Sequence, residues 1–264
     1  MTQFKREVFQ ELFSQVGDRL LQDYGHREAP LDRQEMFARF LAANAWAADE
    51  VKAVLQREYP EVQRFYSDLD ADRQDPQPLG TCWVLDLIDG GFHLQQGFAF
   101  WSMSLCLVED GTPVFSLVYD PNRREFFHAI RGKGAYLNGK AIHVAGKSDL
   151  HNALLMTAPP SFAEEEPLLT KSTIDGIGKL LPRVFAIRML GSVALQLAYV
   201  ASGRMDGYWE FGEDNYDRLG GALLISEAGG RVTDISGREF ALGSSGIIAS
   251  NASLSGQIRK VLQS

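Results

Sequence analysis

One nine-residue stretch constrains this chain more than any other: Trp83-Val84-Leu85-Asp86-Leu87-Ile88-Asp89-Gly90-Gly91. It reads as an apolar strand that ends in two carboxylates three residues apart and passes at once into two glycines. Carboxylates gathered at a strand end repel one another and lose hydration, so they come together at least cost around a hard cation. An all-oxygen site of this kind suits Mg²⁺, which keeps several of its waters and bridges to phosphate. The glycines allow backbone N–H groups to approach a phosphate closely. Taken alone, the same stretch also reads as a strand closing on an ordinary acidic turn.

A second motif lies far downstream, in the run from Tyr216 to Gly230, YDRLGGALLISEAGG. It places Asp217 at a helix start, follows it with the small residues Gly220 and Gly221, and leaves through Glu227-Ala228-Gly229-Gly230. The small residues let the helix pack closely against neighbours, and Gly229 suits the left-handed conformation that ends helices. Alone, Asp217 reads equally as an amino-terminal cap.

Between and around these motifs the texture changes along the chain. Apolar residues recur at helical spacing in three sets: Phe4, Val8, Leu12, Val16 and Leu20; Met36, Phe37, Phe40 and Leu41; and Val51, Val54 and Leu55. They predict helices joined by short loops over the first 58 residues, broken at Pro60. Residues 67–80 are polar, contain two prolines and predict a loop. Strands are predicted at 82–88, 98–108, 113–119 and 125–130, with Asn138-Gly139 as a hairpin turn. This makes a largely antiparallel sheet. After residue 150, strands at 153–157, 184–187, 207–210 and 231–233 alternate with helical segments at 164–181, 192–202, 217–227 and 254–263. The expected division is 1–150, helices plus mostly antiparallel sheet, and 151–264, a layered α/β subdomain. A chain of 264 residues is long enough to bury a substantial core.

The two motifs together resemble the inositol monophosphatase family, a group of Mg²⁺-dependent, lithium-sensitive phosphatases. That family shows a strand ending Asp-Pro-Ile-Asp-Gly-Thr and a later Trp-Asp-x-Ala-Ala-Gly helix closing on Glu-Ala-Gly-Gly. Here the first appears as Asp86-Leu87-Ile88-Asp89-Gly90-Gly91, the second as Tyr216-Asp217-Arg218-Leu219-Gly220-Gly221. The resemblance continues through 132–139, 188–192 and 203–210, in order and spacing. It implies a layered α+β or α/β fold, an α-β-α-β-α sandwich, found as a homodimer. It further implies that Asp86, Asp89, Asp217 and the Ile88 carbonyl hold Mg²⁺, and that Gly90 and Gly91 offer N–H groups to phosphate. Gly191, Ser192 and Glu210 would face the alcohol, Glu210 accepting hydrogen bonds from its hydroxyls. The implied reaction is in-line attack of water on phosphorus, with Asp86 and Asp89 among the catalytic residues.

Three departures fall on the water-activating side. The family's Thr after Asp-Gly is Gly91, which has no hydroxyl. Of the family's Glu-Glu pair, an ungapped count from Tyr59-Pro60 leaves Ser67 and Asp68, so Asp68 is the remaining catalytic carboxylate. The same count puts Asn44 at an upstream Asp position, with Asp49 or Asp70 as substitutes if the register slips. Loss of a water-orienting pair costs on the order of 10²- to 10⁴-fold in rate. Two readings follow: a phosphomonoesterase of small polyol or sugar phosphates, weakened in rate, or an inactive relative that binds a phosphorylated ligand or a partner protein.

Composition narrows the partners. A formal net charge of −8 without a basic run argues against nucleic acid. No apolar run reaches the ~18–20 residues of a membrane span, and the mixed, charged start is unlike a signal peptide. Cys82 and Cys106 read as small buried hydrophobes, and the expected setting is the cytoplasm. His93 reads either as a solvated loop residue or as a group that reaches substrate. Arg218 reads as pairing with a substrate phosphate or with a surface carboxylate. Trp101 and Trp209 read as core. No Gly-x-Gly-x-x-Gly follows a strand, which removes a dinucleotide-binding enzyme.

Overall fold

The computed structural model describes residues 4–25, 27–67, 80–213 and 216–264. The apolar sets at the amino terminus form two helices, α1 (Arg6–Tyr24) and α2 (Arg33–Glu58). The second and third predicted helical sets merge into α2, because no Gly or Pro interrupts residues 33–58. Asp32 starts it by accepting the Glu35 N–H at 2.8 Å.

The first sheet has seven strands in sequence order: β1 (Arg64–Ser67), β2 (Thr81–Asp89), β3 (Ser102–Glu109), β4 (Thr112–Asp120), β5 (Glu125–Ile130), β6 (Ala135–Leu137) and β7 (Lys140–Ala141). All pairings are antiparallel except β1 with β2. The Asn138-Gly139 turn joins β6 to β7 with φ of 48° and 80°, the positive values that a tight hairpin requires. β1, which the sequence reading did not include, is a short four-residue edge strand that meets the segment read as a loop only at Ser67.

Three further strands and four helices build the rest: β8 (Leu154–Thr157), α4 (Pro167–Leu180), β9 (Ala186–Met189), α5 (Val193–Ala201), β10 (Gly207–Phe211), α6 (Tyr216–Glu227) and α7 (Ala252–Leu262). With β11 (Arg231–Thr233) and β12 (Gly246–Ser250) the second sheet runs β11-β12-β10-β8-β9. β12 went unpredicted, and a five-residue helix, α3 (Gly91–Gln95), follows β2 directly.

Strand alternation sorts the core into layers. Trp83, Leu85 and Leu87 of β2 pack with Phe9, Phe13, Val51 and Leu55 of α1 and α2. On the other face of the first sheet, Val118 and Phe127 meet Leu197 of α5, Leu224 of α6, and Met156, Tyr208, Ile247 and Ala249 of the second sheet. The alternate residues Leu155, Trp209 and Ile248 meet Leu180 of α4 and Leu254 and Ile258 of α7. The result is the expected α-β-α-β-α sandwich, with α5 and α6 as the central layer. Each fully buried Leu, Ile or Phe in it contributes about 1.5–3 kcal/mol of apolar transfer. Trp101 and Trp209 are buried core, and Cys82 and Cys106 are buried and free.

Candidate active site

In a regular strand, residues three apart point to opposite faces. Asp86 and Asp89 escape this rule through a β-bulge: Asp86 lies opposite Ser104 and Asp89 opposite Ser102, three steps on β2 against two on β3. The consecutive residues Leu87 and Ile88 consequently both turn into the core beneath α1 and α2. Both carboxylates then project to the α5–α6 side. The Ile88 N–H, displaced by the bulge, donates to Asp86 Oδ1 at 3.3 Å.

α6 brings the third carboxylate. It can approach because Gly221 lies where a Cβ would be 2.4 Å from Leu197 Cδ1 of α5, and Gly220 where one would be 2.9 Å from Ser116 Oγ of β4. Asp217, in its first turn, thus joins Asp86 and Asp89, and one ligand oxygen from each lies within 4.8 Å of the others. Asp217 Oδ1 is buried without a hydrogen-bond partner among the described residues. An ionised carboxylate can only accept, so this oxygen is open to a cation or to a hydrogen-bond donor. The donor set is all oxygen, which fits a hard divalent ion.

Charge on this cluster is costly without one. Burial, then the neighbouring Asp217 and Asp89, raise Asp86 well above the usual carboxylate range, although part of its surface stays open to solvent. Burial and Asp217 push Asp89 up to about 8, against the hydrogen bonds that favour its charged form. Those bonds come from the start of α5. Ser192 Oγ donates to Asp89 Oδ2 at 2.7 Å, Ala194 N–H to Oδ2 at 2.7 Å and Val193 N–H to Oδ1 at 3.2 Å. Ser102 Oγ, 2.8 Å from Ser192 Oγ, completes this support. The Ser192 hydroxyl, expected at the alcohol, is wholly buried and engaged by Asp89.

Gly90 takes φ of 81°, and a Cβ there would be 3.0 Å from Ser192 N, so the β2 exit and the α5 entrance meet backbone to backbone. Gly91 is tighter. A Cβ on it would lie 2.4 Å and 2.5 Å from Cδ2 and Cε2 of Phe40, which projects from α2. The hydroxyl missing from sequence is therefore also missing its space. Asn44, one turn further along α2, is half-buried, and Asp49 is exposed and outside the group of three carboxylates. β1 places Ser67 opposite Leu85, one position before Asp86, while Asp68 and Asp70 lie outside the described residues.

His93 is not a solvated loop residue. α3 carries it, with Nδ1 donating to the Phe100 carbonyl at 2.8 Å and its ring edge-on to Phe98. Its ring also fills the space beside Gly191, where a Cβ would be 2.4 Å from His93 Nδ1.

Glu210 of β10 and Arg218 of α6 form a buried ion pair. Arg218 Nε donates to Glu210 Oε2 at 3.0 Å, and Arg218 Nη2 lies 2.9 Å from Oε1. Tyr208 OH also donates to Oε2. Arg218 further donates to the carbonyls of Gly212 at 2.8 Å and Phe211 at 3.2 Å. Burial still raises Glu210 above the ordinary carboxylate value, with the charge of Asp217 adding to it. Arg218 thus meets a carboxylate, as one sequence reading had it, but a buried one.

The sequence profile of the inositol monophosphatase family matches residues 3–264. The chain belongs to the inositol monophosphatase family. Among relatives, it is 41% identical over 157 residues to Nus factor SuhB of Xylella fastidiosa, covering 60% of this chain and 56% of that protein. It is 41% identical over 182 residues to inositol monophosphatase 3 of Solanum lycopersicum, covering 68% and 67%. The chain thus matches little more than half the length of the first relative. Over the whole fold it resembles extragenic suppressor protein suhB of Bartonella henselae, with a TM-score of 0.81, 26% identity and coverage of 98% and 99%. It likewise resembles the IMPase of Thermotoga maritima, with a TM-score of 0.82, 26% identity and coverage of 98% and 97%. Fold and family both match those of proteins named as inositol monophosphatases. Phe40 was read from sequence only as one of a helical apolar set, and Tyr208 and Ser102 were given no role at the site. Phe40 and Ser102 act through Gly91 and Ser192, far along the chain, and Tyr208 acts through Glu210, whose own partner Arg218 is on another element.

Proposed function

We propose that this chain is a Mg²⁺-dependent phosphomonoesterase of a small polyol or sugar phosphate. The observation that carries the reading is the cluster of Asp86, Asp89 and Asp217 with a buried, unpartnered oxygen on Asp217. These three residues, with the Ile88 carbonyl, would hold the ion. When bound, the ion supplies Lewis acidity at the phosphoryl oxygens and lowers the pKa of water. Ser192 and the α5 amino terminus fix Asp89 in place, and Gly90 and Gly91 turn backbone N–H groups toward the phosphate. Gly191 and Glu210 are the groups that would border the alcohol, since the Ser192 hydroxyl is held by Asp89. Asp68 is assigned to orient the attacking water, which bonds to phosphorus as the alcohol departs on the opposite side.

One observation favours the second reading, a ligand- or partner-binding relative without turnover: the Phe40 ring lies where the family's threonine side chain would be. The bacterial relatives bearing the name Nus factor SuhB make a protein partner a reasonable arm of the test.

The proposed assembly is a homodimer, supported by the exposed Leu181, Phe185 and Met189 at and before the edge strand β9. No helix among the described residues is long and apolar enough to cross a membrane. The proposed setting is the cytoplasm, which the free, buried cysteines suit.

The test is phosphate release from polyol, sugar and nucleotide monophosphates with and without Mg²⁺. Turnover that needs the metal and falls by at least about 10²-fold in both Asp86→Asn and Asp217→Asn is expected, the scale of losing one fixed electrostatic group. A folded protein that releases no phosphate above those variants would establish the second reading.

A further inference from the structure

The Glu210–Arg218 pair bears on which alcohol the site accepts, an inference that rests on the phosphatase reading. A carboxylate offers about four lone-pair positions. Three of those on Glu210 are taken: Oε2 accepts from Arg218 Nε and Tyr208 OH, and Oε1 lies 2.9 Å from Arg218 Nη2. Its charge is matched by a guanidinium whose side chain is only 4% exposed. That guanidinium is itself locked, since the Gly212 and Phe211 carbonyls hold its two terminal nitrogens. Gly212 reaches its position with φ of 106°, a conformation that favours glycine.

The pair is not remote from the site. Arg218 follows Asp217 directly in α6, and both Glu210 and Arg218 feel the Asp217 charge. Tyr208, the third member, feels Asp89. A hydroxyl arriving beside Glu210 would therefore meet a neutralised carboxylate with three lone-pair positions already taken by described residues. Hydrogen bonds to a charged group are the stronger kind, and this one is already made within the protein.

We propose that Arg218 is a specificity-determining residue that withdraws Glu210 from the substrate and so lowers the affinity of the site for hydroxyl-rich alcohols. The enzyme then handles the phosphate as its relatives do, but reads a polyol weakly and gains little from hydroxyls beyond the ester oxygen. Arg218 acts here as a positioning residue, through Glu210, and touches neither phosphate nor metal.

The test compares glycerol 2-phosphate and an inositol monophosphate with phenyl phosphate, whose leaving group carries no further hydroxyl. In the unaltered protein, kcat/KM for the polyol esters should not exceed that for phenyl phosphate. Arg218→Gln keeps a donor for the carbonyls and releases Glu210, and Arg218→Leu releases it without a donor. Either should lower KM for the polyol esters by about tenfold, equivalent to 1.4 kcal/mol, with kcat and the phenyl phosphate values within about threefold. An unaltered protein that prefers the polyol tenfold, or folded variants in which the polyol-to-phenyl ratio does not move, would overturn the proposal. A merely structural Arg218 would lower both esters together.

Should neither variant fold, the ratio in the unaltered protein decides alone. Should no ester be turned over, the phosphatase reading fails. The inference is then read from binding: the polyol phosphate should raise the melting temperature more in Arg218→Gln than in the unaltered protein, and equal shifts would sink it.

Discussion

The two sides of the candidate site were treated differently by this sequence. On the α5–α6 side, Asp86, Asp89 and Asp217 converge, and every supporting contact is in place: Ser192, Ala194 and Val193 hold Asp89, and Gly220 and Gly221 let α6 approach. On the α2 side, polar chemistry has given way to packing. Phe40 fills the space beside Gly91, Asn44 stands on the same helix, and the end of β1 brings Ser67 opposite Leu85. The difference separates holding a cation and a phosphate from orienting the water that attacks it. The first demands charge in a buried place, which survives only with compensating partners. The second demands one or two hydroxyl or carboxyl groups, whose loss leaves the fold intact.

The comparison can be broken or sharpened by measurement. The largest effect is expected at the intact side. Ser192→Ala removes the 2.7 Å bond to Asp89 Oδ2, and activity should fall by about 10- to 100-fold, as when the orienting partner of a metal ligand is lost. Activity within twofold of the unaltered protein would show that the two backbone N–H donors suffice to hold Asp89.

At the altered side the expected effect is on stability. Gly91→Thr alone sets a Cβ 2.4 Å from the Phe40 ring and should destabilise by about 1–3 kcal/mol in urea unfolding. In the Phe40→Ala background the same change should cost less, and turnover should rise above that of Phe40→Ala alone. Additive costs with no coupling would mean that Phe40 swings aside freely and does not close the position.

The smallest effect separates the sides by charge. Asp86 and Asp89 have carboxyls raised by burial and then by the charge of Asp217, Asp89 to about 8. Their folded forms hold protons that the unfolded chain releases near pH 4. That contribution to stability is full below about pH 4 and is lost as pH rises toward 8. Metal-free protein should therefore melt several degrees lower at pH 8 than at pH 6, and Mg²⁺ should recover the difference chiefly at the higher pH. A flat profile in which Mg²⁺ acts equally at both values would place the ion elsewhere.

Much of this was legible in the chain, and the reasons are local. The strand through Trp83, the Asn138-Gly139 turn and the helix from Tyr216 each announce themselves by period or by turn chemistry within a dozen residues. The carboxylates could be named because the family's motifs are contiguous. Less legible were the edge strand β1, whose pairing with β2 bridges a polar stretch, and β12, whose partners β10 and β11 precede it in the chain. The five residues of α3 are too few for a period, so in sequence His93 read as a solvated loop residue or as a group that reaches substrate. Arg218 admitted two partners in sequence, and only the proximity of β10 to α6 selects Glu210.

By itself, then, the sequence determined which carboxylates this protein has and which elements carry them, because hydrophobic period and glycine placement are written residue by residue. Only the tertiary structure decided that a bulge turns Asp86 and Asp89 to the same side, that Phe40 closes the position beside Gly91, and that Arg218 occupies Glu210. The first depends on the register of neighbouring strands, the second on close packing between segments some fifty residues apart, and the third on how α6 folds back beside β10 eight residues earlier, and no periodic pattern encodes any of them.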